Sequence, residues 1–201
     1  MSGQLELAKM FRAVRAELRR QRVAFAIVGG LAVSARSLPR FTQDIDLAVK
    51  VSSDAEAEAV VHGFGQCGFR VMTQVEQTAT GRLATVRLQR ADSPKAPMVD
   101  LLFASCGIES EIVVAAEPLE LFPRISAPVA RVEHLLAMKL LSRDRLTRQQ
   151  DDLDVSALLQ VLSLAEADKV AESLRLITQR GFHRRRKLLA TWNRIRPHRS
   201  T

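Results

Sequence analysis

Apolar and charged positions alternate at a helical period over residues 3–20. Leu5, Leu7, Met10, Phe11, Val14 and Leu18 fall on one face, which predicts an amphipathic helix packed on a sheet. Residues 25–28, Phe-Ala-Ile-Val, read as a short buried strand ending at Gly29-Gly30. A helix follows from Leu31 to about Ser37, stopped by Pro39, which lacks an N–H and restricts the residue before it. Residues 40–49 read as a second strand, with Ile45, Leu47 and Val49 at period two and Asp44 and Asp46 on the other face. Ser53 or Asp54 caps a helix running to Gln66, which Gly68 ends. Residues 69–76 and 82–90 form a hairpin, and 98–103 is an apolar strand around Asp100. Residues 111–121, with Ile112, Val113 and Val114, read as one more strand. Pro118, Pro123 and Pro128 then break the chain, and from Val129 the pattern is helical: 131–143, 150–164, 166–178 and 183–194. Strands and helices followed by helices alone predict an α+β fold. The boundary is expected near 125, with a sheet-bearing domain over 1–125 and a helical bundle over 126–201.

Composition adds little until charge is located. The chain has 201 residues, 47% of them hydrophobic but only 4% aromatic, so its core rests on Leu, Val, Ala and Ile. Cys67 and Cys106 lack metal-ligand spacing, and the four histidines are scattered. The N-terminus is charged and amphipathic, and no run approaches the roughly 18 apolar residues of a membrane span. The expectation is a cytoplasmic protein with no membrane partner. Net charge is +8, and residues 180–201 hold eight cations and no acid. The remaining 22 basic residues balance the 22 acidic ones, so the whole excess sits in this basic tail. Such a tail binds nucleic acid, a membrane surface or an acidic partner, or is a solvated helix docked by its apolar stripe.

The candidate chemistry gathers around residues 26–49. Two residues of strand rise about 6.6 Å, so Asp44 and Asp46 can converge on one small volume. Paired carboxylates repel unless a cation separates them, and Mg²⁺ is commonly held by one or two carboxylates plus substrate phosphates. Gly29 and Gly30 let the backbone approach a ligand, and the helix behind them directs amide donors and its positive end at an anion. Asp100 is a lone carboxylate in an apolar strand, expensive unless paired or metal-bound; its other reading is a turn cap. Lys139 lies in a helix apolar nearly all round, where a lysine stem can also reach out to the surface. Asp151 and Asp154 share a helix face at i, i+3.

Gly29-Gly30 with Arg40-x-Thr42-x-Asp44-x-Asp46 resembles the signature of the nucleotidyltransferase superfamily that includes DNA polymerase β. Within it the chain is most similar to the AbiEii/AbiGii-like group of small prokaryotic nucleotidyltransferases, many of them toxins. Glu133, Lys139 and Asp151-x-x-Asp154-Val155 resemble that group's second motif set, so the two sets span residues 27–155. The resemblance implies a nucleotidyltransferase-type mixed sheet with flanking helices. It also implies an enzyme that uses a nucleoside triphosphate and two Mg²⁺ ions and releases pyrophosphate. Asp44, Asp46 and Asp100 are then the metal and catalytic acids. Gly29, Gly30, Arg40 and Lys139 hold phosphates, and Asp151 and Asp154 support the nucleotide site. The acceptor hydroxyl is expected on RNA or tRNA, given the basic tail; a toxin would also have a cognate antitoxin. The alternatives are a small-molecule acceptor such as an aminoglycoside, or a binding module without turnover. Two positions depart from the pattern: Gly30 stands where serine is commoner, and Gln150 where many relatives carry lysine.

Overall fold

The computed structural model describes residues 2–142 and 149–197. Helix α1 (Ser2–Arg20) is followed by β1 (Phe25–Val28), α2 (Gly29–Arg36), β2 (Ile45–Val49) and α3 (Asp54–Gln66). The hairpin strands β3 (Phe69–Glu76) and β4 (Leu83–Arg90) precede β5 (Val99–Leu102) and helix α4 (Glu109–Ala115). A second hairpin, β6 (Glu117–Phe122) and β7 (Ile125–Val129), completes the sheet. Helices α5 (Val132–Ser142), α6 (Gln149–Val161), α7 (Leu164–Gln179) and α8 (Leu188–Ile195) follow.

The strands form one mixed sheet in the order β3-β4-β5-β2-β1-β7-β6. β2 pairs antiparallel with β1 and parallel with β5, in the centre. Four-residue β1 and β5 are buried throughout, which explains the unbroken apolar run of β1 and the apolar neighbours of Asp100 on β5. On β2 the alternation divides the faces. Ile45, Leu47 and Val49 are fully buried, while Asp46 points to the opposite side. Leu7, Met10, Phe11, Val14 and Leu18 of α1 are buried while Leu5, one of the expected face, is exposed, and Phe11 meets Phe122 of β6 at 6.2 Å between ring centroids. Ser53 caps α3 by accepting from the Glu56 N–H, as expected of its side chain. The mixed sheet with flanking helices is the predicted α+β fold.

Four local readings change. β2 starts at Ile45, not at residue 40; Arg40–Asp44 is an irregular segment because the Arg40 side chain turns away to Asp154. The supposed strand at 111–121 is a helix, α4, and then the edge strand β6. Glu109 closes the loop before α4 by accepting from the N–H groups of Ser105, Cys106 and Gly107 at 2.7, 2.7 and 2.9 Å. Ile112 then packs fully buried, so tertiary context overrides the strand preference of Ile-Val-Val. The prolines that suggested breaks lie in the β6–β7 hairpin, where Pro118 and Pro128 are opposite one another. β7 touches β1 through one register pair, Ile27 and Val129, so Pro128 forfeits no ladder bond there. The sheet thus runs to Val129, and a boundary at 125 would cut a hairpin. Arg36 seals this end: it donates to the carbonyls of Ala130 and Val129 at 3.0 Å and pairs with Glu117. Finally, the last helix begins at Leu188 rather than 183, because Arg184 and Arg185 have φ of 48° and 59°.

The helical part is joined closely to the sheet. α5 packs on α6, α7 and α8, and α2 packs on α5 and α6. Leu188 and Trp192 of α8 are buried, so the C-terminal stretch is docked by its apolar stripe.

Candidate active site

Register brings the acids together. Asp46 on β2 lies beside Asp100 on β5, and Asp100 lies beside Arg87 on β4. Neighbouring strands are about 4.8 Å apart, so three charged side chains stand in a row across the sheet. Arg87 grips both oxygens of Asp100, Nε to Oδ1 at 2.8 Å and Nη2 to Oδ2 at 2.6 Å. That fork is the bidentate geometry guanidinium favours, and Asp100 with its neighbours Asp44 and Asp46 raises the Arg87 pKa further. Sequence reading missed Arg87. Its one signal was an arginine on the polar face of the alternating strand 83–90; its partner depends on strand register.

Asp46 is the most perturbed carboxylate here. Burial, then the negative charges of Asp100 and Asp44, push its pKa up to about 6. The Lys139 charge and a bond from the Gly30 N–H pull the other way. The N-terminus of α2 therefore abuts this carboxylate directly. Gly29 has φ +61°, and a Cβ there would lie 2.0 Å from Asp46 Oδ2. Only glycine fits both the left-handed backbone and the contact.

Gly30 explains the departure from serine. A Cβ at 30 would lie 2.7 Å from both Arg40 Nη2 and Thr42 Oγ1. The space a serine side chain would need is filled by the threonine hydroxyl and the guanidinium. Arg40 is itself anchored on Asp154, Nε to Oδ1 at 2.9 Å and Nη2 to Oδ2 at 3.1 Å. Gly30→Ser is therefore expected to lower turnover, on the order of tenfold, by displacing Arg40 and Thr42. Steady-state kinetics of the folded variant checks this; turnover above wild type would show that the serine finds room.

Lys139 points into the site from α5, with Nζ 2.7 Å from both Asp151 Oδ1 and Asp154 Oδ2. Asp151 also accepts from the Ser142 hydroxyl at 3.0 Å, and Asp154 from Gln150 at 3.1 Å. Both aspartates are buried, and Asp154 bridges Arg40 and Lys139. Gln150 thus serves the same carboxylate network as Arg40 and Lys139. Asp44, half-buried, sits just before β2 and acts on Asp46 through its charge.

A cleft of about 410 Å³ lies over this face. Asp46, Asp100, Arg87 and Lys139 line it, with Thr85 on the sheet side and Met138 on the α5 side. Among the described residues no three acid, imidazole or thiol groups already form a metal cage. The donor chemistry nevertheless fits a hard dication. Asp46 offers carboxylate oxygens whose repulsion from Asp100 and Asp44 a cation would relieve, and substrate phosphates complete such shells. Asp100 can join through the lone pairs that Arg87 leaves open, or by exchanging Arg87 for the ion.

The family model for the nucleotidyl transferase AbiEii toxin of type IV toxin–antitoxin systems matches residues 12–198. Among curated proteins, no sequence matches. Among solved structures, the antibiotic-resistance factor ANT(2'')-Ia in solution is 19% identical with a TM-score of 0.55, over 90% of this chain and 94% of that one. The complex of ANT(2'')-Ia with adenylyl-2''-tobramycin is 16% identical with a TM-score of 0.56, over 86% and 97%. An antigenic nucleotidyltransferase-like protein from Paracoccidioides brasiliensis is 18% identical with a TM-score of 0.51, over 94% and 92%. At these identities the likeness is one of fold.

Proposed function

The chain belongs to the AbiEii nucleotidyltransferase toxin family, and on that premise we propose that it transfers a nucleoside monophosphate from a nucleoside triphosphate to a ribose hydroxyl of RNA, tRNA foremost. The observation that carries this reading is the pairing of Asp46 and Asp100 on parallel strands, against the amide end of α2. The acceptor oxygen bonds to the α-phosphorus, the bond from that phosphorus to the bridging oxygen breaks, and pyrophosphate leaves. The hydroxyl proton passes to Asp100 or to water.

Each residue has a place in that chemistry. The α2 N-terminus, at Gly29 and Gly30, holds triphosphate oxygens through the amide donors that Asp46, which takes the Gly30 N–H, leaves open. Lys139 adds a point charge there, and Asp154 keeps Lys139 and Arg40 in position. Asp46 and Asp100, with Asp44 near, would hold Mg²⁺, which when bound neutralises the phosphate charge. Charge stabilisation and positioning dominate phosphoryl-group chemistry, and these are what the residues supply. The sheet through Val129 carries the acids and the helices after it carry Lys139, so both parts of the chain build one centre.

The cleft wall favours an anionic acceptor. Among the described residues its acids are Asp46 and Asp100, both claimed by the reaction, while Arg87, Lys139 and Arg184 also line it. An aminoglycoside carries several ammonium groups and needs spare carboxylates, and among the described residues this lining has none. We place the protein in the cytoplasm, where triphosphates, RNA and an antitoxin would meet it; among the described residues no helix can cross a membrane. Incubation with each α-labelled triphosphate, Mg²⁺ and total RNA, beside a panel of small hydroxyl compounds, tests the reading. Label in RNA, lost on chelation of Mg²⁺, is the expected result. Label only in a small compound would replace the acceptor, and no transfer to anything would remove the activity.

A further inference from the structure

The segment between α7 and α8 is built into the cleft. At every second residue it meets the loop after β5 or the helix α4 that follows that loop. Arg180 pairs with Glu111 through both carboxylate oxygens, at 2.6 and 3.1 Å. Phe182 is buried on Gly107, where a Cβ would come within 2.5 Å of the ring. Gly107 itself has φ +77°, so glycine is needed twice over. Arg184 donates to the Ser105 carbonyl at 3.2 Å and lines the same cleft as Asp46 and Asp100. Arg184 and Arg185 both hold left-handed backbone, with φ of 48° and 59°, which a side-chain-bearing residue rarely adopts. Two adjacent residues in that conformation are kept at the point where the chain turns past the cleft.

Strand directions say which end of the cleft this is. Val28, the last residue of β1, pairs with Asp46, so Gly29 and the α2 N-terminus lie beyond Asp46 toward Ile45. β5 runs parallel to β2 and leads the opposite way, from Asp100 through Leu102 to Ser105. The two aspartates therefore stand between the α2 N-terminus and Arg184. In an in-line displacement the attacking and leaving oxygens lie on opposite sides of the phosphorus. With pyrophosphate held at α2, the acceptor hydroxyl enters from the Arg184 side.

We propose that Arg184 is an acceptor-binding residue: it takes the internucleotide phosphate next to the terminal ribose whose hydroxyl attacks. This rests on the RNA-acceptor reading above and adds to it a residue and a direction of entry. Guanidinium matches phosphate in a bidentate way. Arg185, Arg186 and Lys187 follow at the surface, so a strand leaving the cleft there meets further cations.

The test compares full-length wild type, Arg184→Ala and Arg184→Lys, using a short single-stranded RNA with a free 3′ hydroxyl. For Arg184→Ala, the KM for RNA should rise about tenfold, the loss of one charge-assisted phosphate contact. Maximal turnover, the KM for triphosphate and the melting temperature should stay near wild type, and lysine should restore part of the loss. RNA binding without triphosphate, measured by anisotropy, should lose about 0.7 from its log–log salt slope. An unchanged RNA KM and salt slope in Arg184→Ala overturns the proposal while the transferase reading stands. A fall in turnover and melting temperature with an unchanged RNA KM makes Arg184 a structural clamp and also overturns it. If wild type labels no RNA, the acceptor reading fails, and the anisotropy arm decides Arg184: weaker binding by the alanine variant keeps it as an RNA contact, equal binding removes it.

Discussion

Gly29→Ala is expected to lower transfer at least a hundredfold and stability by about 2–3 kcal/mol. Alanine at φ +61° bears the left-handed cost of about 1–2 kcal/mol, and its Cβ would overlap the Asp46 carboxylate, with Oδ2 at 2.0 Å and Cγ at 2.5 Å. Neither atom is the end of a flexible chain, since Asp46 is a short side chain on a central strand. Either Asp46 rotates away from Asp100 or the start of α2 shifts. A displacement of about 1 Å at a reacting centre costs on the order of a hundredfold in rate. Denaturant unfolding and single-turnover transfer measure the two effects. A variant as stable and as active as wild type would show that Asp46 does not work against the α2 N-terminus.

Asp46→Asn is expected to abolish transfer and yet raise the melting temperature of the metal-free protein. Folding raises the Asp46 pKa from 3.8 to about 6, chiefly by burial and then by the charges of Asp100 and Asp44. The fold therefore prefers the neutral acid. Relative stability from this group is complete below pH 3.8 and is lost as pH rises through 6. Above that, the ionised group costs roughly 3 kcal/mol, at about 1.4 kcal/mol per pKa unit. Asparagine cannot ionise, so the variant escapes the penalty at pH 7. Metal-free wild type should lose stability from pH 4.5 to 7 relative to Asp46→Asn, and Mg²⁺ should recover stability for wild type only. Melting curves of both proteins across that range, with and without Mg²⁺, provide the measurement. Parallel curves for the two proteins would mean that Asp46 is not held in a desolvated, like-charged site.

What the chain reveals by itself is what nearest neighbours in sequence control. The strand–GG–helix unit at 25–36 could be read because an apolar run, two glycines and a helical period lie within a dozen residues. The Ser53 cap, the hairpin at 69–90 and the apolar strand around Asp100 followed from period and capping chemistry in the same way. The overall class followed from the order of these elements, and the family resemblance came from their residues and spacing. The same local logic failed at 111–121, where Ile-Val-Val has strand preference but Ile112 is buried as part of a helix. It also failed at 125–129, where a strand containing proline survives near a sheet edge.

Tertiary structure alone decided who faces whom. That Asp46 lies beside Asp100, and Asp100 beside Arg87, is a property of strand register, which sequence spacing does not specify. The bridge from Arg40 through Asp154 to Lys139 joins residues more than a hundred positions apart, so no local pattern could show it. Gly30 looked like a missing serine until the fold placed Arg40 and Thr42 in the space its side chain would need. The basic stretch after residue 180 showed its charge and its apolar stripe in the sequence, but not which part of the chain they face. The fold buries Phe182 and Trp192 and carries Arg184 to the cleft, because the apolar residues between those cations need a surface to cover them.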